Sequence, residues 1–176
     1  MGSIPLPKQI ILFRGYMDLR KIYKFIFDWL KRRSYETYET KYRRKKAEIE
    51  LTVMGERKVN EYIKDIIIVD MHLYGDGPGP SSVDEVEVVK DGVKRKMIKG
   101  RMHLTINGIV ETGYKNIYGK SMWNTPFLQK LQRFLETGVL KQELDLKYVD
   151  PLYYEVLEFF EALKKEFEMD GIGSFY

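Results

Sequence analysis

The chain has 176 residues, of which 44% are hydrophobic and 32% are charged, a composition that favours one folded domain over a disordered chain. It has no cysteine and two histidines, which excludes disulfides, thiol nucleophiles, cysteine-bound zinc and sites built from three histidines. Thirty basic residues against 26 acidic residues give a net charge of +4, a small excess for a dedicated nucleic-acid-binding protein.

No segment approaches the roughly 20 apolar residues of a membrane-spanning helix, so we expect no membrane span. The first residues lack the apolar stretch of a signal peptide, and a cytoplasmic location is expected. We interpret residues 1–176 as a single domain with flexible ends at 1–7 and 171–176. No cofactor is expected.

The first predicted elements are a short strand and an amphipathic helix. An apolar run at residues 10–13 predicts the strand. Asp18 is a typical N-cap, and apolar residues then recur at helical spacing through residues 19–33. Phe25 and Trp29 widen the apolar stripe, which indicates either a large core or a surface for a protein partner.

Two long strands are predicted next. Residues 35–54 alternate between polar and apolar side chains, but their two halves place apolar residues at opposite parity. Since side chains alternate with a period of two, this change of phase needs a bulge, a break or a change of burial near residues 43–46. Gly55 is expected to form a turn, and residues 57–74 form the following strand.

A β-hairpin is predicted after a glycine-rich loop. Asp91 and Gly92 lie between two β-rich segments, residues 83–90 and 93–112, and this dipeptide favours a two-residue hairpin turn. The second strand alternates, with apolar side chains on one face and mainly basic side chains on the other. Its outward residues are Arg95, Lys99, Arg101, His103, Thr105 and Asn107.

Two more amphipathic helices are predicted, at residues 125–138 and 152–167. The order is then (β)-α-β-β-β-β-α-α. This order predicts an α+β fold in which a long antiparallel sheet of about four to five strands is covered on one face by amphipathic helices. An early helix, a long sheet and a long terminal helix also give the general layout of helix-grip ligand-binding folds.

The segment from Gly113 to Ser121 follows a strand, as a phosphate-binding loop does, and ends in Gly119-Lys120-Ser121. A phosphate-binding loop has four residues between its glycines, whereas five lie between Gly113 and Gly119. A plain connection is therefore favoured over nucleotide hydrolysis. No motif gives positive support for catalysis, so the sequence favours a protein without enzymatic activity and leaves the question open.

Asp70, His72 and His103 are weak candidates for a metal or acid–base site. Both histidines fall on the polar side of predicted strands, and Asp70 shares a face with His72. If the strands are neighbours, the three side chains converge. The favoured alternative is two half-exposed histidines with no shared partner, so no metal is predicted.

The densest basic run is a candidate nucleic-acid site. Its residues are Lys41, Tyr42, Arg43, Arg44, Lys45 and Lys46. They combine positive charges that attract phosphate with a ring that can stack on a base. Arg95, Lys99 and Arg101 extend the site if their strand lies close. The alternative is a solvated strand edge, where lysine discourages aggregation, and the small net charge favours that alternative.

Three functions remain open from these patterns. The favoured one is a non-enzymatic module that binds a protein partner or associates with itself. The first alternative is nucleic-acid binding by a basic, tyrosine-rich sheet face. The second is a small hydrophobic ligand held between the sheet and the terminal helix. The residues expected to line that pocket are Leu104, Ile106, Phe160 and Leu163.

Overall fold

The computed structural model describes residues 2–76, 83, 85–90, 92–112 and 145–175. Within these residues the protein is an α+β fold with one antiparallel sheet of eight strands and two helices. The strands are β1 (Gly2–Pro5), β2 (Gln9–Met17), β3 (Glu36–Arg44), β4 (Glu48–Lys58), β5 (Ile63–Gly75), β6 (Glu85–Lys90), β7 (Val93–Thr112) and β8 (Ile172–Phe175). The helices are α1 (Leu19–Arg32) and α2 (Asp150–Asp170), and a π-helical turn, Asp145–Val149, precedes α2.

The long strand β7 organises the sheet. The main path runs β3-β4-β5-β7-β2-β8, and every pair is antiparallel. Because β7 has 20 residues, it pairs with β1, β2, β5 and β6 at different points along its length. Its first residues pair with β6 to form a two-stranded ribbon that extends from the main path.

The sheet has more strands than the predicted four to five, and residues 35–54 account for part of the difference. This segment is two strands, β3 and β4, rather than one. The expected break at residues 43–46 is the turn of a hairpin, in which the N–H of Lys45 donates to the carbonyl of Glu48 at 2.8 Å. Gly55 lies inside β4 rather than in a turn, packed closely against Leu30 and Tyr35.

The two ends of the chain, which we expected to be flexible, supply the remaining strands. Residues 2–5 form β1 and pair with the end of β7. Residues 172–175 form β8 and pair with β2. The order of elements therefore begins with two strands and ends with one, unlike the predicted order.

Several local signals are confirmed. The carboxylate of Asp18 accepts hydrogen bonds from the N–H groups of Arg20 and Lys21, so it caps α1 as expected. Gly92 has a φ of 76°, and the β6–β7 hairpin closes around it. The helix predicted at residues 125–138 and the Gly113 to Ser121 segment lie outside the described residues.

One face of the sheet, here called the inner face, packs against both helices. Buried side chains of β2, β4, β5 and β7 form a single hydrophobic cluster with buried residues of α1 and α2. Trp29 stacks on Phe159, with 4.2 Å between ring centroids, and Phe13 lies 5.2 Å from Phe167. Trp29 therefore completes the core, which removes one argument for a partner surface on α1. Neither of the two described helices combines the length and the apolar composition needed to cross a membrane.

A row of four glycines crosses the sheet. Gly75 pairs with Gly100, Gly100 with Gly15, and Gly15 with Gly173. A Cβ atom at Gly15, Gly100 or Gly173 would lie 2.1–2.4 Å from a carbonyl oxygen of a neighbouring strand. Main chains therefore approach each other here more closely than any side chain permits. Gly15 also has a φ of 152°, which L-residues rarely adopt.

Candidate functional site

The face of the sheet opposite the helices, the outer face, carries most of the predicted site residues. The strand register arranges their side chains in rows. In one row Arg43 of β3 lies opposite Glu50 of β4, Glu50 opposite His72 of β5, and His72 opposite His103 of β7. Residues far apart in the chain thus become neighbours across four strands.

The next row adds exposed cations. Tyr74 of β5 lies opposite Arg101 of β7, which lies opposite Arg14 of β2. Beyond Arg101, Lys99 pairs with Tyr16, and its ammonium lies 5.6 Å from the Tyr16 ring centroid. All three cations are exposed. We call Arg14, Lys99 and Arg101, with the rings of Tyr16 and Tyr74, the cationic cluster.

Among the described residues, the carboxylate of Asp76 contacts this cluster. The Oδ2 and Oδ1 atoms of Asp76 accept hydrogen bonds from Nε and Nη2 of Arg14 at 2.7 and 3.2 Å. This hydrogen bonding, together with the charges of Arg14, Arg101 and Lys99, holds the pKa of Asp76 below its ordinary value. Within the part of the chain that the structure describes, three cations against this carboxylate give the cluster an excess of positive charge.

The basic run of β3 lies at the same end of the sheet. Lys41 and Arg43 are on the outer face of β3, and residues 45–47 form the turn into β4. This turn contacts the end of β5, because the N–H of Gly75 donates a 3.0 Å hydrogen bond to a carbonyl of the turn. The basic run and the cationic cluster are therefore brought together along one end of the outer face.

Two lysines of the run are already paired. Lys41 forms an ion pair with Glu50, and Lys45 forms one with Glu48. The hydrogen bond from Lys41 lowers the pKa of Glu50. These pairs reduce the positive charge that Lys41 and Lys45 can offer to a ligand.

The other residues of the run differ in orientation. Arg44 donates a 3.2 Å hydrogen bond to the carbonyl of Val83. Tyr42 has the inner-face parity on the edge strand β3 and is 57% exposed, so it does not join the rings of the outer face. Arg43 and Lys46 are exposed and form no ion pair with a described residue.

Arg95 lies apart from Lys99 and Arg101. It belongs to the β6–β7 ribbon and lines a small surface cavity near the start of α1. Glu85 and Arg20, which form an ion pair at 3.2 Å, line the same cavity. Of the three β7 cations predicted to extend the basic run, Lys99 and Arg101 lie with it and Arg95 does not.

The two histidines face each other, but they do not gather a metal site. The Nδ1 atom of His72 lies 2.9 Å from the Tyr74 hydroxyl, and Nε2 lies 4.0 Å from Glu50. Asp70 instead accepts a 2.7 Å hydrogen bond from a threonine hydroxyl of β4. In the part of the chain that the structure describes, no three His, Asp or Glu side chains are grouped to hold a metal ion.

Sequence reasoning missed four residues of this site, namely Arg14, Tyr16, Tyr74 and Asp76. Arg14 has a weak signal, since it is the polar residue at outward parity in the apolar β2 segment. Its position beside Arg101 depends on which strands pair, and local pattern carries no such information.

The residues expected to line a ligand pocket belong to the hydrophobic core. Leu104, Ile106 and Leu163 are fully buried in it, and Phe160 packs against it. They are continuous with the core that joins the sheet to α2.

No family model matches this chain, and neither does a curated protein or a solved structure.

Proposed function

We propose that the protein is a non-enzymatic nucleic-acid-binding module and that the cationic cluster, with Arg43 and Lys46, contacts the phosphate backbone. One observation carries the proposal. The strand register gathers cations from β2, β3 and β7 at one end of the outer face. Surfaces that concentrate exposed cations bind phosphates, because binding releases the counterions around the nucleic acid.

The small net charge of +4 is compatible with this function, because some charged side chains near the site are paired with each other while others face solvent. Three described carboxylates near the site are already paired with cations: Glu48 with Lys45, Glu50 with Lys41 and Asp76 with Arg14. Arg101 and Arg43 are left facing solvent. Their contacts with phosphate are exposed, so affinity depends steeply on salt.

A salt titration with a charge-matched control tests the proposal. The site variant is Arg43→Ala/Lys99→Ala/Arg101→Ala. The control is Lys8→Ala/Lys24→Ala/Lys165→Ala, which removes three exposed cations outside the site and gives the same net charge. Fluorescence anisotropy with labelled oligonucleotides measures affinity between about 50 and 200 mM salt.

The site variant is expected to bind at least about tenfold more weakly than the wild type, and the slope of log affinity against log salt should fall by about 2. The control should stay within about twofold of the wild type, since only the overall charge has changed. Equal losses in the two variants, or no binding by the wild type at about 50 mM salt, would contradict the proposal.

Self-association through β6 is a second candidate, favoured by exposed valines. Among the described strands β6 pairs with β7 alone, so its other edge has no described partner strand. Val86, Val89 and Val93 of this ribbon are 45%, 62% and 54% exposed. An apolar strand edge pairs readily with a second copy. Light scattering should then show a dimer that Val89→Lys dissociates, and a concentration-independent monomer would exclude it.

A further inference from the structure

Building on the proposed function, we infer that the ligand is a single-stranded nucleic acid whose bases stack on Tyr74 and Tyr16 while its phosphates contact Arg14, Lys99 and Arg101. The outer face alternates rings and cations at this point. Tyr74, Arg101 and Arg14 form one row across β5, β7 and β2, and Lys99 and Tyr16 form the neighbouring pair. Single-stranded sites combine these two kinds of side chain, because phosphates need charge and unpaired bases need a flat ring.

The spacing leaves room for both kinds of contact. Tyr74 and Tyr16 are on strands two apart and one side-chain repeat out of line, a separation of about 12 Å between main chains. Arg101 and Arg14 lie between or beside the two rings. A single-stranded nucleic acid that crosses the sheet from β5 to β2 therefore meets the Tyr74 ring first, then the cations and then the Tyr16 ring.

The Tyr74 ring is accessible and held in place. Tyr74 remains 37% exposed. Its hydroxyl lies 2.9 Å from His72 Nδ1, and the two rings meet edge to face at 62° with centroids 5.7 Å apart. Because these contacts restrict the ring before a ligand arrives, little conformational freedom is lost when a base stacks on it.

The Tyr16 ring is occupied by the ammonium of Lys99, 5.6 Å from its centroid. Such a contact at an exposed site is weak and easily exchanged. A phosphate gives Lys99 a better partner, and its movement then leaves the ring to a base. Binding therefore couples the Lys99 contact with phosphate to stacking on Tyr16.

The width of this surface separates single strands from duplexes. The duplex major groove, about 12 Å wide, admits a helix or a two-stranded ribbon. The residues of the cationic cluster are spread over three adjacent strands within a wider sheet, which does not enter that groove. Bases inside a duplex are also stacked on one another, so only unpaired bases reach the tyrosine rings.

The test compares single-stranded and duplex oligonucleotides with equal numbers of phosphates at one salt concentration. Wild type is expected to bind the single strand at least about fivefold more tightly. Tyr74→Ala should lower single-strand affinity about fivefold and leave duplex affinity unchanged, whereas Tyr74→Phe, which keeps the ring, should bind nearly as wild type. Tyr154→Ala is the matched control, since Tyr154 is 69% exposed on α2, away from the site.

Three results would overturn the inference while leaving nucleic-acid binding intact. These are equal wild-type affinity for single strands and duplexes, equal losses in Tyr74→Ala and Tyr74→Phe, and no loss in Tyr74→Ala. Circular dichroism melts verify that each variant is folded, and Tyr16→Ala offers an independent ring if Tyr74→Ala is unfolded. No binding to any oligonucleotide would instead contradict the proposed function itself.

Discussion

Each face of the sheet holds an arginine in an ion pair, and the two groups differ in burial and in the number of contacts around them. On the inner face Arg57 binds Asp65 at 2.8 Å and Glu155 at 2.7 Å. On the outer face Arg14 binds Asp76 at 2.7 Å. The Arg57 and Asp65 side chains are 27% and 6% exposed, against 60% and 21% for Arg14 and Asp76. Water or phosphate therefore reaches the Arg14 pair more easily than the Arg57 group.

The inner group also has more contacts around it. The Arg57 guanidinium lies 4.4 Å from the Tyr35 ring centroid, and the Tyr35 hydroxyl donates to Glu155 at 3.2 Å. Burial raises the pKa of Tyr35 well above its ordinary value. Since Arg57, Asp65 and Glu155 belong to β4, β5 and α2, their bonds join the sheet to the terminal helix. The Arg57 group therefore stabilises the fold, whereas the Arg14 pair, with a similar hydrogen-bond length, stays accessible to a ligand.

The largest expected effect comes from breaking the inner group. Arg57→Ala removes the cation that binds the buried carboxylate of Asp65 and leaves Glu155 with its longer ion pair to Arg33 at 3.6 Å. It should lower the free energy of unfolding by about 3 kcal/mol. Arg14→Ala breaks an exposed pair and should lower it by less than about 1 kcal/mol. Urea unfolding of the two variants measures both values. Equal losses would show that burial does not separate the two arginines.

A pH titration should separate the two aspartates. Burial raises the pKa of Asp65 despite the opposing effect of Arg57, whereas the hydrogen bonds from Arg14 lower the pKa of Asp76. Carbon-13 NMR of the carboxyl groups should therefore give midpoints on opposite sides of the ordinary value of about 3.9.

The signs for stability differ accordingly. Asp76 contributes to the free energy of unfolding at pH values above its pKa in the unfolded chain. This contribution is lost as the pH falls through the lower pKa of the folded protein. Asp65 contributes to the free energy of unfolding at pH values below its pKa in the unfolded chain. This contribution is lost as the pH rises through the higher pKa of the folded protein. Midpoints in the reverse order would contradict the contrast between the two faces.

The smallest expected effect is a gain. Asp76→Asn removes the carboxylate that holds Arg14 and adds one positive charge to the net charge of the cluster. Affinity for nucleic acid should rise about two- to threefold at low salt, and the midpoint of urea unfolding should stay close to that of the wild type. Asp28→Asn, on α1, gives the same change in net charge and serves as the control. An equal gain in the control would assign the effect to overall charge.

The elements that sequence predicted well are those with local signals. Asp18 and the helical stripe after it defined α1, and Gly92 identified the β6–β7 hairpin. The change of phase at residues 43–46 left a bulge, a break and a change of burial open, because residues 45–47 include no glycine, proline or asparagine to indicate a turn. The turn expected at Gly55 was wrong. A glycine is found there because the side chain of Leu30 packs closely against this position of β4.

The site was predictable only in part, for a physical reason. Lys99 and Arg101 could be placed on an outward face because alternation within one strand is a local property. Arg14 and Tyr74 also lie on the outer face, but they belong to the site because they lie beside Arg101. That proximity is set by pairing among β2, β5 and β7, which involves residues far apart in the chain.

The glycine positions of the sheet should vary less in evolution than the cations of the outer face. At Gly15, Gly100 and Gly173 the nearest atom that a methyl group would strike is a main-chain carbonyl oxygen, so no substitution at a neighbouring position can make space for it. Any homologue that keeps this sheet should hold glycine at all three positions at once, without compensating pairs. The cations of the outer face meet water and can be exchanged one at a time, so among homologues binding should diverge more readily than the sheet.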